Sequence, residues 1–245
     1  MSTPMVFLHG WGQSRQVWYQ QISSFPEAMF LNLPGHGGSA EHDDWIEAIA
    51  EQLSDSPSII VGWSLGGIIA MQLALKHPEK VRGMALISTT PSFCNRTNRD
   101  QTVWNYGCQQ QIFDAFESGI KANSAKTMGR FFMLMLQGDT ISRSDYNQIA
   151  LSSIDRGHPP TQATLTKGLN HLASTDLRSD VSSISTPVLL MHGAQDAIIP
   201  TAAGAWLAET LPQATWQAFD GCGHAPFLTH PETFNESLKR WCQSI

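Results

Sequence analysis

The chain has 245 residues, 42% apolar and 15% charged, with a formal net charge of −6. That length buries a large core in one domain with an insertion, or in two small domains. The balance excludes a disordered or fibrous chain and a general binder of nucleic-acid phosphates.

Taken in chain order, short apolar runs alternate with helical patterns, the mark of βα units around a mostly parallel sheet. Strands are predicted over 5–9 and 28–33. A helix over 43–53 follows from the spacing of Trp45, Ile46, Ile49 and Leu53, with acids in its first turn. A strand over 58–62 leads into a helix over 65–77, which is nearly all apolar and so expected to be buried; His77-Pro78 marks its end. A strand is predicted over 83–88, and after a long interruption two more over 187–192 and 214–219. No stretch is apolar enough for long enough to span a membrane, and no basic leader with a cleavage site precedes the first strand. Cys94, Cys108, Cys222 and Cys242 share no CxxC spacing and no metal-like pairing with histidine. These features read as reduced thiols in a soluble cytoplasmic protein, with neither a membrane nor a nucleic acid as partner.

The alternation fails over 92–175. That stretch is polar, carries Phe113, Phe116, Phe131 and Phe132 at helix-like intervals, and offers no buried strand. The expectation is a helical cap inserted over 92–175 into a core formed by 1–91 and 176–245. The insertion holds eight basic and six acidic residues, a net of +2, so the remainder carries −8 of the total of −6.

The strongest motif is Gly62-Trp63-Ser64-Leu65-Gly66-Gly67, a G-x-S-x-G between a predicted strand and a predicted helix. A turn that sharp leaves no room for side chains at Gly62 and Gly66, and the helix start offers free N–H groups to developing negative charge. A nucleophilic serine needs a base and an orienting acid, and this arrangement supplies them in the order Ser, Asp/Glu, His. His224 lies in a glycine-bounded loop after the last strand, and Asp196 lies just past the strand over 187–192. Asp176, Asp180 and Asp220 compete for the acid's place, less directly positioned after a strand or, for Asp220, too near His224. The oxyanion hole is expected from the backbone N–H groups of Trp11 and Leu65. Trp11 follows the first strand in His9-Gly10-Trp11-Gly12, and its ring is free to wall an acyl pocket; packing of the loop is the plainer reading. His9 and His192 read as hydrogen-bonded strand ends and His36 as part of a turn. His42, His77, His158, His171 and His230 form no metal-binding pattern. Neither a metal nor a nucleotide cofactor is expected.

The chain resembles the α/β-hydrolase superfamily. The resemblance rests on Phe7-Leu8-His9-Gly10-Trp11-Gly12, Leu33-Pro34-Gly35-His36-Gly37-Gly38-Ser39, the Ser64 motif, His192-Gly193-Ala194-Gln195-Asp196 and Gly223-His224-Ala225-Pro226. Together these span almost the whole chain. Within the superfamily, His9-Gly10-Trp11-Gly12, the Ser64 motif, His224-Ala225-Pro226-Phe227 and the segment around Arg130-Phe131 resemble the pimeloyl-[acyl-carrier protein] methyl ester esterases of biotin synthesis. The resemblance implies an α/β-hydrolase fold with an inserted helical cap, its usual N-terminal antiparallel strands missing or reduced because so little chain precedes residue 5. It implies a serine carboxylesterase with Ser64, Asp196 and His224 as the triad, a monomer acting without cofactor on an ester borne by an acyl-carrier protein or on small esters. It further implies that Trp11, Ser64, Leu65, Phe131, Phe132, Met133, Leu134, Met135 and His224 bind substrate, and that Lys126, Arg130 and Arg143 face the carrier. Asn32 stands where relatives often carry aspartate.

The residues of the cap agree in part. Lys126 and Arg130 are four apart, hence on one helix face, where a basic pair steers an acidic partner. The same pair also suits a merely solvated face, and the apolar run from Phe131 to Met135 also suits the cap's own core. Three other readings keep the motifs: a broad short-chain esterase or thioesterase, a C–C bond hydrolase, and a non-catalytic ligand receptor on the same fold. A dehalogenase or epoxide hydrolase is disfavoured, since the attacking position would need a carboxylate and holds Ser64.

Overall fold

A computed structural model describes residues 3–97 and 103–245. The expected insertion over 92–175 therefore includes five positions, 98–102, that lie outside the described residues. The chain runs β1 (Met5–Leu8), β2 (Met29–Leu31), α1 (Trp45–Ala50), β3 (Ser58–Trp63), α2 (Leu65–Lys76), β4 (Val81–Ile87), then a two-residue pair β5 (Arg96–Thr97) and β6 (Val103–Trp104). Helices α3 (Gln110–Met135), α4 (Arg143–Ser152) and α5 (Gln162–Ser174) follow. The sheet resumes with β7 (Val188–Gly193), then α6 (Thr201–Thr210), β8 (Ala214–Phe219), α7 (Pro226–Thr229) and α8 (Pro231–Cys242).

The main sheet has the order β2-β1-β3-β4-β7-β8, and every pairing in it is parallel. Strands β3 and β7 are buried at every residue, as strands covered on both faces must be, which is why they read as unbroken apolar runs. After β2 the chain crosses to the other side of β1 to lay down β3. Strand order reverses there, and open α/β sheets place ligands at the carboxyl ends of strands flanking such a reversal.

Helix α2 buries nine of its residues and shows no polar stripe, because it lies under other elements rather than facing water. Helix α1 is shorter than the 43–53 expected: Asp44 caps it, accepting from Ile46 N and Glu47 N. Its acids then pair with the end of α2, Lys76 Nζ lying 2.9 Å from Asp44 and 2.7 Å from Glu47.

Among the described residues between β4 and β7, helices α3, α4 and α5 dominate and the only named strands are the short β5–β6 pair. Ser92 and Asp176 meet in an isolated antiparallel bridge, so the chain leaves and rejoins the sheet layer at neighbouring points. Arg178 and Arg96 both pair with Asp176 there, at 2.7 and 3.7 Å. Helix α3 is two helices in sequence: Asn123 has φ −160° and ψ 90°, and its side chain accepts from Lys126 N at 2.9 Å, capping the second half. Asn32 joins two loops by accepting from Arg15 N at 2.7 Å and donating to Gly37 O at 3.0 Å. An aspartate at that position has no proton for the second bond, which gives the asparagine a physical reason.

Candidate active site

Ser64 sits between β3 and α2 at φ 54° and ψ −115°, one of two non-glycine residues with positive φ among those described. Such a conformation costs of order 1–3 kcal/mol and persists only where its surroundings impose it. Here they do. Ser64 N donates to Ile87 O at 2.9 Å, and Thr89 Oγ1 donates to Ser64 O at 2.7 Å. The two glycines answer to close approach: a Cβ on Gly62 would meet the backbone oxygen of Gly66, and one on Gly66 would meet the Leu8 carbonyl. Gly66→Ala is therefore expected to destabilise the fold by about 3 kcal/mol or more, since the obstacle is backbone; a urea melt checks it.

His224 and Asp196, distant in sequence, meet in a dry place. His224 Nδ1 lies 2.7 Å from Asp196 Oδ2, with both side chains fully buried. The other oxygen, Asp196 Oδ1, accepts from Ile198 N at 2.8 Å and Ile199 N at 3.0 Å. Burial alone would push the Asp196 carboxyl up, but the attraction of His224 and the bonds from His192 and His224 hold it well below the usual carboxylate range. The carboxylate thus stays ionised, and Nδ1 is the imidazole's donor. The histidine loop is held against the Ser64 turn through Trp63, whose Nε1 donates to His224 O at 2.9 Å and whose ring lies 5.5 Å from the imidazole. His224 Nε2 is buried and has no hydrogen-bond partner among the described residues. Catalytic bonds are often unmade before substrate arrives.

Asp176, Asp180 and Asp220 have no such placement: Asp176 is taken by Arg178 and Arg96 at the base of the helical segment. A residue that sequence reasoning set aside as structural stands beside the pair. His192 Nε2 lies 2.9 Å from Ile199 O and 3.3 Å from Asp196 Oδ2, so its N–H is shared between carbonyl and carboxylate. The available signal was its place at the end of β7, four residues before Asp196. His9 has a different task. Its Nε2 accepts from Leu33 N at 3.0 Å and its Nδ1 faces Gly10 O at 2.8 Å, which fixes a neutral tautomer; burial and the neighbouring His36 lower its basicity well below normal.

Leu65 is the first residue of α2, so its N–H has no acceptor within the helix. Trp11 lies in a turn closed by Gln13 N donating to Gly10 O at 3.3 Å, a bond that does not use the Trp11 N–H. The Trp11 ring is not free: Nε1 donates to Leu165 O in α5 at 2.9 Å, and its faces meet Phe131 and Phe116 edge-on at 5.0 and 5.7 Å.

Ser64 opens into a cavity of about 220 Å³ whose apolar walls include Trp11, Phe113, Phe116, Phe131, Leu134 and Leu172. The run from Phe131 to Met135 is not one wall. Helical periodicity turns Phe131 and Leu134 to this cavity, whereas Phe132 and Met133 line a separate groove of about 890 Å³, where Met133 is 55% exposed. Met135 is wholly buried, and its carbonyl accepts from His224 N at 2.9 Å. Lys126 and Arg130 line the same larger groove, with Gly12, Gln13 and His158 on its other sides. Arg143, the first residue of α4, is exposed and not among the groove's lining residues.

Residues 3–231 match the family described as alpha/beta hydrolase fold. A pimeloyl-[acyl-carrier protein] methyl ester esterase of Aromatoleum aromaticum is 39% identical over 237 residues, 93% of this chain and 93% of the relative. Its namesake from Nitrosomonas europaea is 38% identical over 240 residues, 94% of this chain and 92% of the relative. Among solved structures, an esterase from Exiguobacterium antarcticum superimposes with a TM-score of 0.85 at 23% identity, covering 99% of this chain and 92% of that one. MenH of Staphylococcus aureus does so at 0.80 and 18% identity, covering 99% and 94%; these two likenesses speak to the fold alone. With a matched span that takes in the Ser64 turn, the Asp196 loop and the His224 loop, the chain belongs to the alpha/beta hydrolase fold family.

Proposed function

We propose that the protein is a serine carboxylesterase that hydrolyses the methyl ester of pimeloyl-[acyl-carrier protein], with Ser64, His224 and Asp196 as its triad. The observation that carries the chemistry is the positive-φ Ser64 at the start of α2, whose neighbour Trp63 holds the loop of a buried His224–Asp196 pair 2.7 Å apart. The substrate follows from relatives of that name, 38–39% identical over nearly the full length of both chains.

In the first half of the reaction Ser64 Oγ attacks the ester carbonyl and His224 Nε2 takes its proton. The Asp196 carboxylate stabilises the imidazolium. The N–H groups of Trp11 and Leu65 receive the developing oxyanion, a contribution of about 2.7–4 kcal/mol per donor. The proton passes from His224 to the departing methoxide, methanol leaves, and water activated by the same nitrogen frees the carboxylate. The acyl chain lies in the apolar cavity. At about 220 Å³ that cavity is below the range of roughly 300–1,000 Å³ for drug-sized ligands, so it suits an acyl chain and leaves the carrier outside.

The carrier's place is the larger groove, where Lys126 and Arg130 stand one turn apart and exposed. Thr127 and Phe131, one position further along the same helix, are buried, so the basic pair points outward by the helix's own rotation. An acidic carrier would be steered by such a pair. Charge reversal of both residues to glutamate is expected to lower kcat/KM for the carrier-bound methyl ester about tenfold or more at low salt. Hydrolysis of p-nitrophenyl butyrate should be unchanged. Equal slowing of both substrates would place the defect in the chemistry, and unchanged rates on both would remove docking from this groove.

A further inference from the structure

Behind the His224 loop, away from the substrate cavity, three potential metal ligands from separate segments converge. Asp139 follows the end of α3, Cys222 lies two residues before His224, and His230 joins α7 to α8. One ligand atom from each lies within 4.8 Å of the others. Both carboxylate oxygens of Asp139 are inaccessible to solvent and have no hydrogen-bond partner. The Cys222 thiol is buried, and Thr229 Oγ1 touches both it, at 3.3 Å, and His230 Nδ1, at 3.0 Å. Burial pushes the Asp139 carboxyl up; Thr229, Gly223 and Cys222 lie near enough to temper this, though none is aligned for an ordinary hydrogen bond to it.

A buried carboxylate oxygen without a hydrogen-bond partner is costly, and such a group in a native protein calls for a counter-ion or a proton. We propose that Asp139, Cys222 and His230 form a binding site for a thiophilic divalent cation, with Zn²⁺ the best match. A mixed sulfur, imidazole and carboxylate set selects zinc over the oxygen-seeking Mg²⁺ and Ca²⁺. Zinc bonds of about 2.0–2.3 Å require the three atoms, now within 4.8 Å of one another, to close in by roughly an ångström. On binding, Cys222 gives up its thiol proton to solvent and coordinates as thiolate, and water takes the remaining position.

The ion would staple three pieces already in contact. Thr140 N donates to Gly221 O at 3.2 Å, Gln195 N to Cys222 O at 3.0 Å, and His224 N to Met135 O at 2.9 Å. Zinc there ties the exit of α3 to the loop that carries His224. Spacing rules miss the site because its ligands are contiguous only in space.

The test uses the purified full chain stripped with EDTA and titrated with Co²⁺. One equivalent should bind with a thiolate-to-cobalt charge-transfer band, and Zn²⁺ should displace it. Cys222→Ala should lose the band, while Asp139→Asn and His230→Gln should each weaken binding about tenfold or more. At a fixed Zn²⁺ concentration the Tm of the wild type should rise by more than that of Asp139→Asn. Binding without the band, a band that survives Cys222→Ala, undiminished affinity in both other variants, or no binding below millimolar Zn²⁺ would each overturn the proposal.

Discussion

Replacing Ser64 with alanine is expected to lower kcat for ester hydrolysis by about 10⁶-fold, the scale on which a triad serine acts with its partners as a unit. Protein stability should not fall with it. The hydroxyl makes no bond that holds the turn; the turn is held by the backbone of Ser64, through Ile87, Thr89 and Gly67. Ser64→Gly sharpens the point. Glycine adopts positive φ freely, so the variant sheds of order 1–3 kcal/mol of strain against a glycine entropy penalty of about 0.5–1 kcal/mol. A dead enzyme about 1 kcal/mol more stable than the active one is the outcome expected from a urea melt. A stable Ser64→Ala protein that still turned over its ester within tenfold of the wild type would take the nucleophile's role from Ser64.

The placement of that serine was open to reading because its causes are local. A strand, a turn needing two glycines and an apolar helix occupy consecutive residues, and the structure sets β3, Ser64 and α2 there. Asp196 and His224 were legible for the same reason, each following a strand at the same end of the sheet. What the pattern could not convey is rotation and convergence. The break at Asn123 sets the rotation of the second half of α3, so Phe131 and Leu134 meet Ser64's cavity while Phe132 and Met133 do not. His192 reads as an ordinary strand end, because its place four residues before Asp196 does not by itself say that Asp196 folds back onto it. The closeness of Asp139, Cys222 and His230 depends on where α3 ends against the last loops, which no single segment encodes.

Asp196→Asn is expected to lower kcat by about 10⁴-fold, through hydrogen-bond direction more than through lost charge. All four groups around Asp196 are donors: Ile198 N and Ile199 N on one oxygen, His224 and His192 on the other. An amide satisfies only one side. If its oxygen keeps the two backbone bonds, its NH₂ faces His224 Nδ1 and forces the proton to Nε2, where it blocks acceptance from Ser64. The inverse flip sets the NH₂ against two backbone N–H groups and loosens the loop after β7. Acid stability separates the charge effect. The folded carboxyl lies below its ordinary value, so its stabilisation is present above the unfolded pKa of about 3.9 and is lost as pH falls through the folded one. The Tm gap between wild type and Asp196→Asn should therefore be widest near neutrality and narrow below about pH 4. A gap that did not change with pH would mean the carboxylate contributes shape alone.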